Sequence, residues 1–256
     1  MKLLLRLFVT TLTLLLIPSC MHAGSKRYEI KSGIITYKVE GGGSMMGFST
    51  KTTGTTHLYF KDWGNLELRD TTEKEISMGK TTTDHHIVKI DHDKAYIVDE
   101  REKVIYMQDL HQLMQTKPKG KDLTTLGKEM MKEMGGKKVG TGKILGYPCE
   151  IWEVMGSKTW LYKGIPLKSE SNMMGFRHLE VATSAKFNLH VADKYFKLPD
   201  YPVKNSSEVL HERMQEVQKS HPGSAQPTIP QQPTPEQMKQ MQQMLQNLGK
   251  MFGQQQ

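Results

Sequence analysis

The chain has 256 residues and a formal net charge of +8. This charge is spread thinly, with no run of five or six basic residues and no basic stripe interleaved with aromatic side chains, which excludes nucleic-acid binding. Of the two cysteines, Cys20 lies at the expected processing site of an N-terminal signal, which leaves Cys149 alone, so packing rather than disulfides must hold the core.

The first 23 residues have the composition of a bacterial secretion signal. Lys2 and Arg6 precede an apolar run over residues 7–17, which is shorter than the roughly 20 residues that a membrane-spanning helix needs. Three outcomes remain open: lipidation at Cys20 after a lipobox-like tripeptide, cleavage after Ala23 to give a soluble periplasmic product, or retention as an uncleaved anchor. We therefore expect an exported protein of the periplasm or outer membrane.

Residues 24–204 predict one β-rich domain. The clearest segment is 178–191, where the odd-numbered residues are apolar with one exception and define one face of a strand. Such one-sided alternation is typical of antiparallel sheets. Similar segments recur at short intervals and give roughly ten or eleven strands, with polar turns at 91–94 and 99–103. The glycine run at 41–43 is interpreted as another turn.

Two turns of this domain nearly repeat each other, at residues 44–48 and 172–176. Each contains Met-Met-Gly-Phe between two strand candidates. They are either two hairpin tips with apolar residues or a pair of flexible methionine lips at the mouth of a cavity, since thioether side chains adapt to varied apolar surfaces.

Helical periodicity occurs in three places. Residues 108–138 carry short apolar stripes and are expected to pack on the sheet. Residues 205–219 predict a short charged helix, followed by a proline-rich linker at 220–233. Residues 234–256 predict a Met/Gln-rich amphipathic helix, too short to be stable alone, which must dock on its own domain, another copy, a partner or a membrane. Its partner-binding stripe is Met238, Met241, Leu245, Leu248 and Phe252.

No residues have the spacing of a catalytic constellation, so we expect no enzyme, no cofactor and no metal. Cys149 is expected to be a small buried hydrophobic residue. His85, His86 and His92 suggest copper or nickel binding, but adjacent residues of a strand point to opposite faces, and His86 and His92 would lie about 20 Å apart.

Four segments resemble the LolA-like lipoprotein-carrier superfamily. HIVKIDHDKAYIVD at 86–99 is similar to its central hairpin, and WLYKGIPLKSE at 160–170 is similar to a later strand pair. YFKLP at 195–199 resembles its closing segment. YPCEIWE at 147–153 is similar to an uncharacterised bacterial branch.

The resemblance covers residues 28–204 and implies a mostly β (α+β) fold. Its core is a strongly curved antiparallel sheet, an open, unclosed half-barrel, with short helices on the concave side and, outside the shared fold, the C-terminal helical tail. Members with known roles hold acyl chains or other hydrophobic molecules between sheet and helices. The lipoprotein carriers latch their lid with a cavity arginine, for which this sequence offers no assigned counterpart.

We therefore expect a non-enzymatic envelope protein that binds a hydrophobic ligand, such as a lipid, an acyl chain or a lipidated partner. The alternatives are an interaction module that docks a partner or a membrane surface through its C-terminal helix and, third, a periplasmic metal-binding protein. The candidate cavity residues are apolar members of alternating strands: Ile35, Tyr37, Leu58, Phe60, Leu66, Leu68, Trp152, Trp160, Phe187 and Leu189.

Overall fold

A computed structural model describes residues 26–45, 48–110, 128–129, 131–173 and 175–209. The chain divides into two compact units, Met1–Ser206 and Ser207–Gln256, and all the described strands belong to the first. The predicted signal, the linker and the helix over 234–256 lie outside the described residues, as do most of the predicted helices over 108–138 and 205–219.

The described part of the chain forms twelve strands and two 3₁₀ turns. The strands are β1 (Gly33–Met45), β2 (Phe48–Lys61), β3 (Leu66–Ser77), β4 (Lys80–Asp91), β5 (Lys94–Asp99), β6 (Val104–Asp109), β7 (Lys137–Ile144), β8 (Tyr147–Val154), β9 (Ser157–Tyr162), β10 (Ile165–Met173), β11 (Phe176–Phe187) and β12 (Val203–Asn205). The 3₁₀ turns are Asp62–Gly64 and Asp193–Phe196.

All twelve strands join one sheet in the order β12-β6-β5-β4-β3-β2-β1-β11-β10-β9-β8-β7. Neighbours are antiparallel except β12, which runs parallel to β6. β12 and β7 are the two edges and do not pair with each other among the described residues, so the sheet is an open half-barrel. The predicted mostly β fold is therefore confirmed.

The predicted turns at 91–94 and 99–103 are confirmed, because they join β4 to β5 and β5 to β6. The prediction of a turn at residues 41–43 is wrong, since these glycines lie inside β1. Their role is close approach between strands: a Cβ on Gly43 would overlap the carbonyl oxygen of Gly175, and one on Gly42 would overlap that of Thr50. Gly42 also has φ of +142°, which side chains disfavour.

The prediction that residues 178–191 keep one alternating face is also wrong. In the pairing of β11 with β1, Thr36 lies opposite Ser184 but Tyr37 lies opposite Ala182, so Thr183 is an extra residue, a β-bulge. A bulge shifts the side-chain period by one. Ala182 therefore shares the face of Phe187, whereas strict alternation would place the two on opposite faces.

The two faces of the sheet are covered differently. The inner face is defined by Ile35, Tyr37, Leu58 and Phe60, which are fully buried in one apolar cluster drawn from β1, β2 and β8 to β11. On the opposite, outer face, the chain that follows β11 packs across β1 to β4 through a second cluster centred on Phe196. The inner face lies on the concave side, as the contacts between distant strands described below require.

Candidate ligand-binding site on the inner face

The base of the inner face is closed by the segment over residues 26–32, the plug segment. Its backbone bonds to two turns at the same end of the sheet, one between β2 and β3 and the other between β9 and β10. Tyr28 N–H donates to Trp63 O at 2.9 Å, and Glu29 N–H donates to Lys163 O at 3.1 Å. The Tyr28 ring meets the Phe60 ring edge to face, with centroids 5.0 Å apart. The plug segment therefore seals the apolar core at this end.

Two side chains of the plug segment, Arg27 and Tyr28, interact with Glu67 of β3. The Tyr28 hydroxyl donates to Glu67 Oε2 at 2.6 Å, and Arg27 Nη1 lies 3.5 Å from the same oxygen. Arg27 Nη1 also donates to the carbonyl of Gly64 at 2.7 Å. Burial, and after it the charge of Glu67, raise the pKa of Tyr28 far above its ordinary value, so this hydroxyl stays protonated as the donor.

Next to the plug segment, aromatic side chains from separate strands gather on the inner face. Phe187 of β11 lies edge to face with Tyr147 of β8 at 5.1 Å and 5.7 Å from Tyr162 of β9. β8 and β11 are separated by two strands, so rings this close require the sheet to curl. Gly33 allows the approach of Phe60 and Phe187, since a Cβ there would lie 2.6 Å from one ring and 2.9 Å from the other.

These aromatic side chains are more exposed than the buried residues of the inner cluster against which they pack. Ile35 and Phe60 have no exposed surface, whereas Tyr147, Trp160, Tyr162 and Phe187 are only partly buried, although they pack against the same cluster. The inner face thus offers accessible apolar surface on top of a sealed core.

An ion pair crosses the middle of the inner face. Arg69 Nη2 of β3 donates to Glu180 Oε2 of β11, although β2 and β1 lie between these strands. Three strand spacings amount to about 14 Å in a flat sheet, so the pair bridges a concave surface. The Arg69 guanidinium lies 5.3 Å from the centre of the Tyr37 ring, and the Tyr37 hydroxyl donates to Pro166 O at 2.9 Å.

Half-buried titratable groups lie beside this pair. Burial, reinforced by the charges of Glu180 and Asp84, raises the pKa of Glu73 above its ordinary value. Burial lowers the pKa of His178, although the charge of Glu180 opposes this shift. At neutral pH, His178 is therefore neutral. Farther from the plug segment than the aromatic side chains, the inner face is thus lined by polar groups.

The structure brings together six of the ten residues predicted to line a cavity. Ile35, Tyr37, Leu58 and Phe60 lie within the inner cluster, with Trp160 and Phe187 against it. The others are elsewhere: Leu66, Leu68 and Leu189 belong to the outer cluster with Phe196, and Trp152 is buried with its indole N–H 3.2 Å from Glu150 Oε2.

Sequence reasoning missed the plug segment and the Arg69–Glu180 pair. Apolar character favours Leu66 and Leu68 of β3 as cavity residues, yet the register places Glu67 opposite Phe60 and Arg69 opposite Leu58, on the inner face. The register of β3 against β2 is the signal that could have placed Glu67 and Arg69 on the inner face. Arg69 is thus an arginine of the inner face, which the sequence alone did not place.

The other predicted features are arranged as follows. Cys149 is buried in the inner cluster, and burial raises the pKa of its thiol. His85 Nε2 lies 2.7 Å from Asp70 Oδ1, and His92 Nδ1 lies 3.0 Å from Asp91 Oδ1. Within the described ranges, no group of three histidine, cysteine, aspartate or glutamate side chains is placed to hold a metal ion.

The sequence matches no protein-family model and no curated protein. Solved structures similar to it include an uncharacterised conserved protein from Thermus thermophilus, with 9% identity and a TM-score of 0.41 over 70% of this chain and 94% of that one. A putative outer membrane lipoprotein-sorting protein domain from Vibrio parahaemolyticus has 10% identity and a TM-score of 0.30 over 67% and 92%. A DUF1329 family protein from Desulfovibrio piger has 9% identity and a TM-score of 0.28 over 66% and 90%. Likenesses this remote assign neither a family nor a function to the chain.

Proposed function

We propose that this protein is a non-enzymatic, exported envelope protein that binds a hydrophobic ligand, such as a lipid, an acyl chain or a lipidated partner, on the inner face of its half-barrel. The observation that carries the proposal is the accessible aromatic layer of Tyr147, Trp160, Tyr162 and Phe187 above a sealed core. Concave, mostly apolar surfaces with a few polar groups are typical of small-molecule sites.

The layers of the inner face suit an elongated apolar molecule. Aromatic side chains give large contact areas at a low cost in side-chain entropy, since each has two rotatable bonds. The plug segment below and the Arg69–Glu180 pair above hold the strands that carry these rings at fixed positions. A preformed site of this kind avoids the cost of ordering when the ligand binds.

The envelope location rests on the sequence of the first 23 residues, with its basic start and short apolar run. No helix among the described residues combines the length and apolar character that crossing a membrane demands.

Native mass spectrometry of the mature protein, purified without harsh detergent, tests the proposal together with binding of a fluorescent fatty acid. We expect a co-purified mass and saturable probe binding. Phe187→Ala should weaken probe binding at least about tenfold, because it removes one ring of the aromatic layer. Phe196→Ala is the matched control: it removes a buried ring of the outer cluster and should leave probe affinity unchanged.

An apo mass with no probe binding would overturn the proposal. Equal loss of probe affinity in Phe187→Ala and Phe196→Ala would place the ligand away from the inner face. Circular dichroism of both variants confirms that the sheet is retained before the affinities are compared.

A further inference from the structure

Two hairpin tips at one end of the sheet share an unusual residue. β3 and β4 are joined by Met78-Gly79, and β8 and β9 are joined by Met155-Gly156. The antiparallel pairing from β4 through β1 to β8 puts both turns at the same end, opposite to the plug segment. The sequence has further Met-Gly pairs between β1 and β2 (residues 46–47) and between β10 and β11 (residues 174–175), of which residues 46, 47 and 174 lie outside the described residues.

The turn geometry does not explain the methionines. Both residues of each described turn have positive φ, 52° and 73° for Met78-Gly79 and 47° and 78° for Met155-Gly156. Two-residue turns of this kind favour Asn-Gly, because asparagine tolerates the left-handed region better than an unbranched apolar side chain does. At the plug end the corresponding turns carry Leu145-Gly146 and Lys163-Gly164, so the methionines mark one end.

Packing does not explain them either. Met78 is 72% exposed and Met155 is 44% exposed, and the neighbouring Ile76 is 43% exposed. A Cβ added at Gly79 would meet nothing within 4 Å, so this tip stands clear of the described protein. Exposed thioethers at strained positions therefore indicate contact with something outside the described residues.

Basic side chains lie next to the same tips. Lys80 follows Gly79 directly, Lys158 is two residues after Gly156, and Arg177 is two residues after Gly175; all three are exposed. Glu153 lies 4.0 Å from Lys158 and offsets part of this charge. The turns of the opposite end carry charges of both signs, with Lys94 and Lys163 as well as Asp62 and Asp93.

We propose that Met78 and Met155, with Lys80, Lys158 and Arg177, dock this end of the half-barrel on an anionic phospholipid bilayer. The thioethers enter the interface and the cations meet the headgroups, the combination by which apolar and electrostatic terms add in peripheral membrane binding. The β3–β4 and β8–β9 tips lie six strand spacings apart in the sheet, about 29 Å if it were flat, too far to share one metal ion but suited to a planar surface. This surface is distinct from the inner-face ligand site.

Vesicle flotation tests the proposal, with the mature protein of a Cys20→Ser chain so that no acyl chain is attached. The vesicles are phosphatidylethanolamine with phosphatidylglycerol, or phosphatidylcholine alone. The double variant Met78→Asn/Met155→Asn creates the preferred Asn-Gly turns and should fold at least as well as the parent. It should bind anionic vesicles at least about tenfold more weakly. Leu145→Asn, which also replaces an apolar residue by asparagine in the same kind of turn but at the opposite end, should leave binding unchanged.

The charge component has its own pair of variants. Lys80→Gln/Lys158→Gln should weaken binding to the anionic vesicles and flatten its salt dependence, whereas Lys163→Gln at the plug end should not. Equal binding by the methionine double variant and Leu145→Asn would overturn the proposal, as would equal binding to neutral vesicles. A dimer by sedimentation equilibrium that the methionine variant splits would assign the tips to a second copy instead. Probe binding at the inner face, measured on the same variants, should stay intact and so separates this proposal from the ligand site.

Discussion

Replacing Arg69 with methionine tests whether the ion pair across the inner face holds the half-barrel. The Glu180 side chain is 8% exposed and that of Arg69 is 22% exposed. Arg69→Met therefore leaves a carboxylate buried without its cation, which costs about 3–5 kcal/mol. Glu180→Gln should cost less, about 1–3 kcal/mol, because the guanidinium keeps its contact with the Tyr37 ring and reaches solvent.

The double variant Arg69→Met/Glu180→Met should recover most of this loss, since apolar groups of similar volume often replace a buried ion pair without penalty. We expect a coupling free energy of at least about 2 kcal/mol in the double-mutant cycle. The assay is urea unfolding followed by tryptophan fluorescence and circular dichroism at neutral pH.

The matched control for this cycle is Lys38→Met, which breaks the exposed Lys38–Glu40 pair, whose side chains are 60% and 48% exposed. Exposed pairs contribute little, so no measurable change is expected. If Arg69→Met costs no more than Lys38→Met, or if the double variant is as unstable as Arg69→Met, the ion pair does not hold the curvature.

Three further results are expected. Gly43→Ala should lower the free energy of unfolding by about 2 kcal/mol or more, because the new Cβ overlaps Gly175 O. Thermal unfolding measures this loss, and an unchanged stability would show that the strands can separate there. The Cys149 thiol, whose pKa burial raises, should react with a thiol reagent far more slowly in the folded protein than in guanidinium, and equal rates would contradict its burial. Because burial lowers the pKa of His178 in the folded state, the unfolded state binds more protons as pH falls below about 6.5, and stability present above that pH is lost on acidification. Urea midpoints at about pH 7 and about pH 5 should therefore differ more for the parent than for His178→Gln, and an equal difference would refute the assignment.

Many strands and turns of the sheet could be predicted because the sequence patterns that define them involve only neighbouring residues. Alternation identified the strands, and polar pairs such as His92-Asp93 identified the turns. The errors arose where pairing partners decide the outcome. The bulge at Thr183 follows from the register with β1, and the glycines at 41–43 are needed because neighbouring backbones approach closely.

The candidate site was less predictable than the fold. Alternation predicts that Ile35, Leu58 and Phe60 share one face, and they lie together in the inner cluster. Arg69 and Glu180 could not be placed in this way, because they are charged residues more than a hundred positions apart that meet only when the sheet curves. Hydrophobic pattern alone assigns such residues to solvent, and only three-dimensional pairing places them on the inner face.

Among the described strands the open sheet has two edges, β7 and β12, and each has features that disfavour strand addition by other chains. β7 has the sequence KKVGTGKI, whose lysines and glycines, with a register shift between Lys138 and Gly140, make a poor template for pairing. At the other edge, the three-residue β12 covers Ile105–Met107 of β6. A half-barrel of this kind can remain unclosed without growing into aggregates or fibres, and removal of β12 would expose a longer apolar edge to intermolecular pairing.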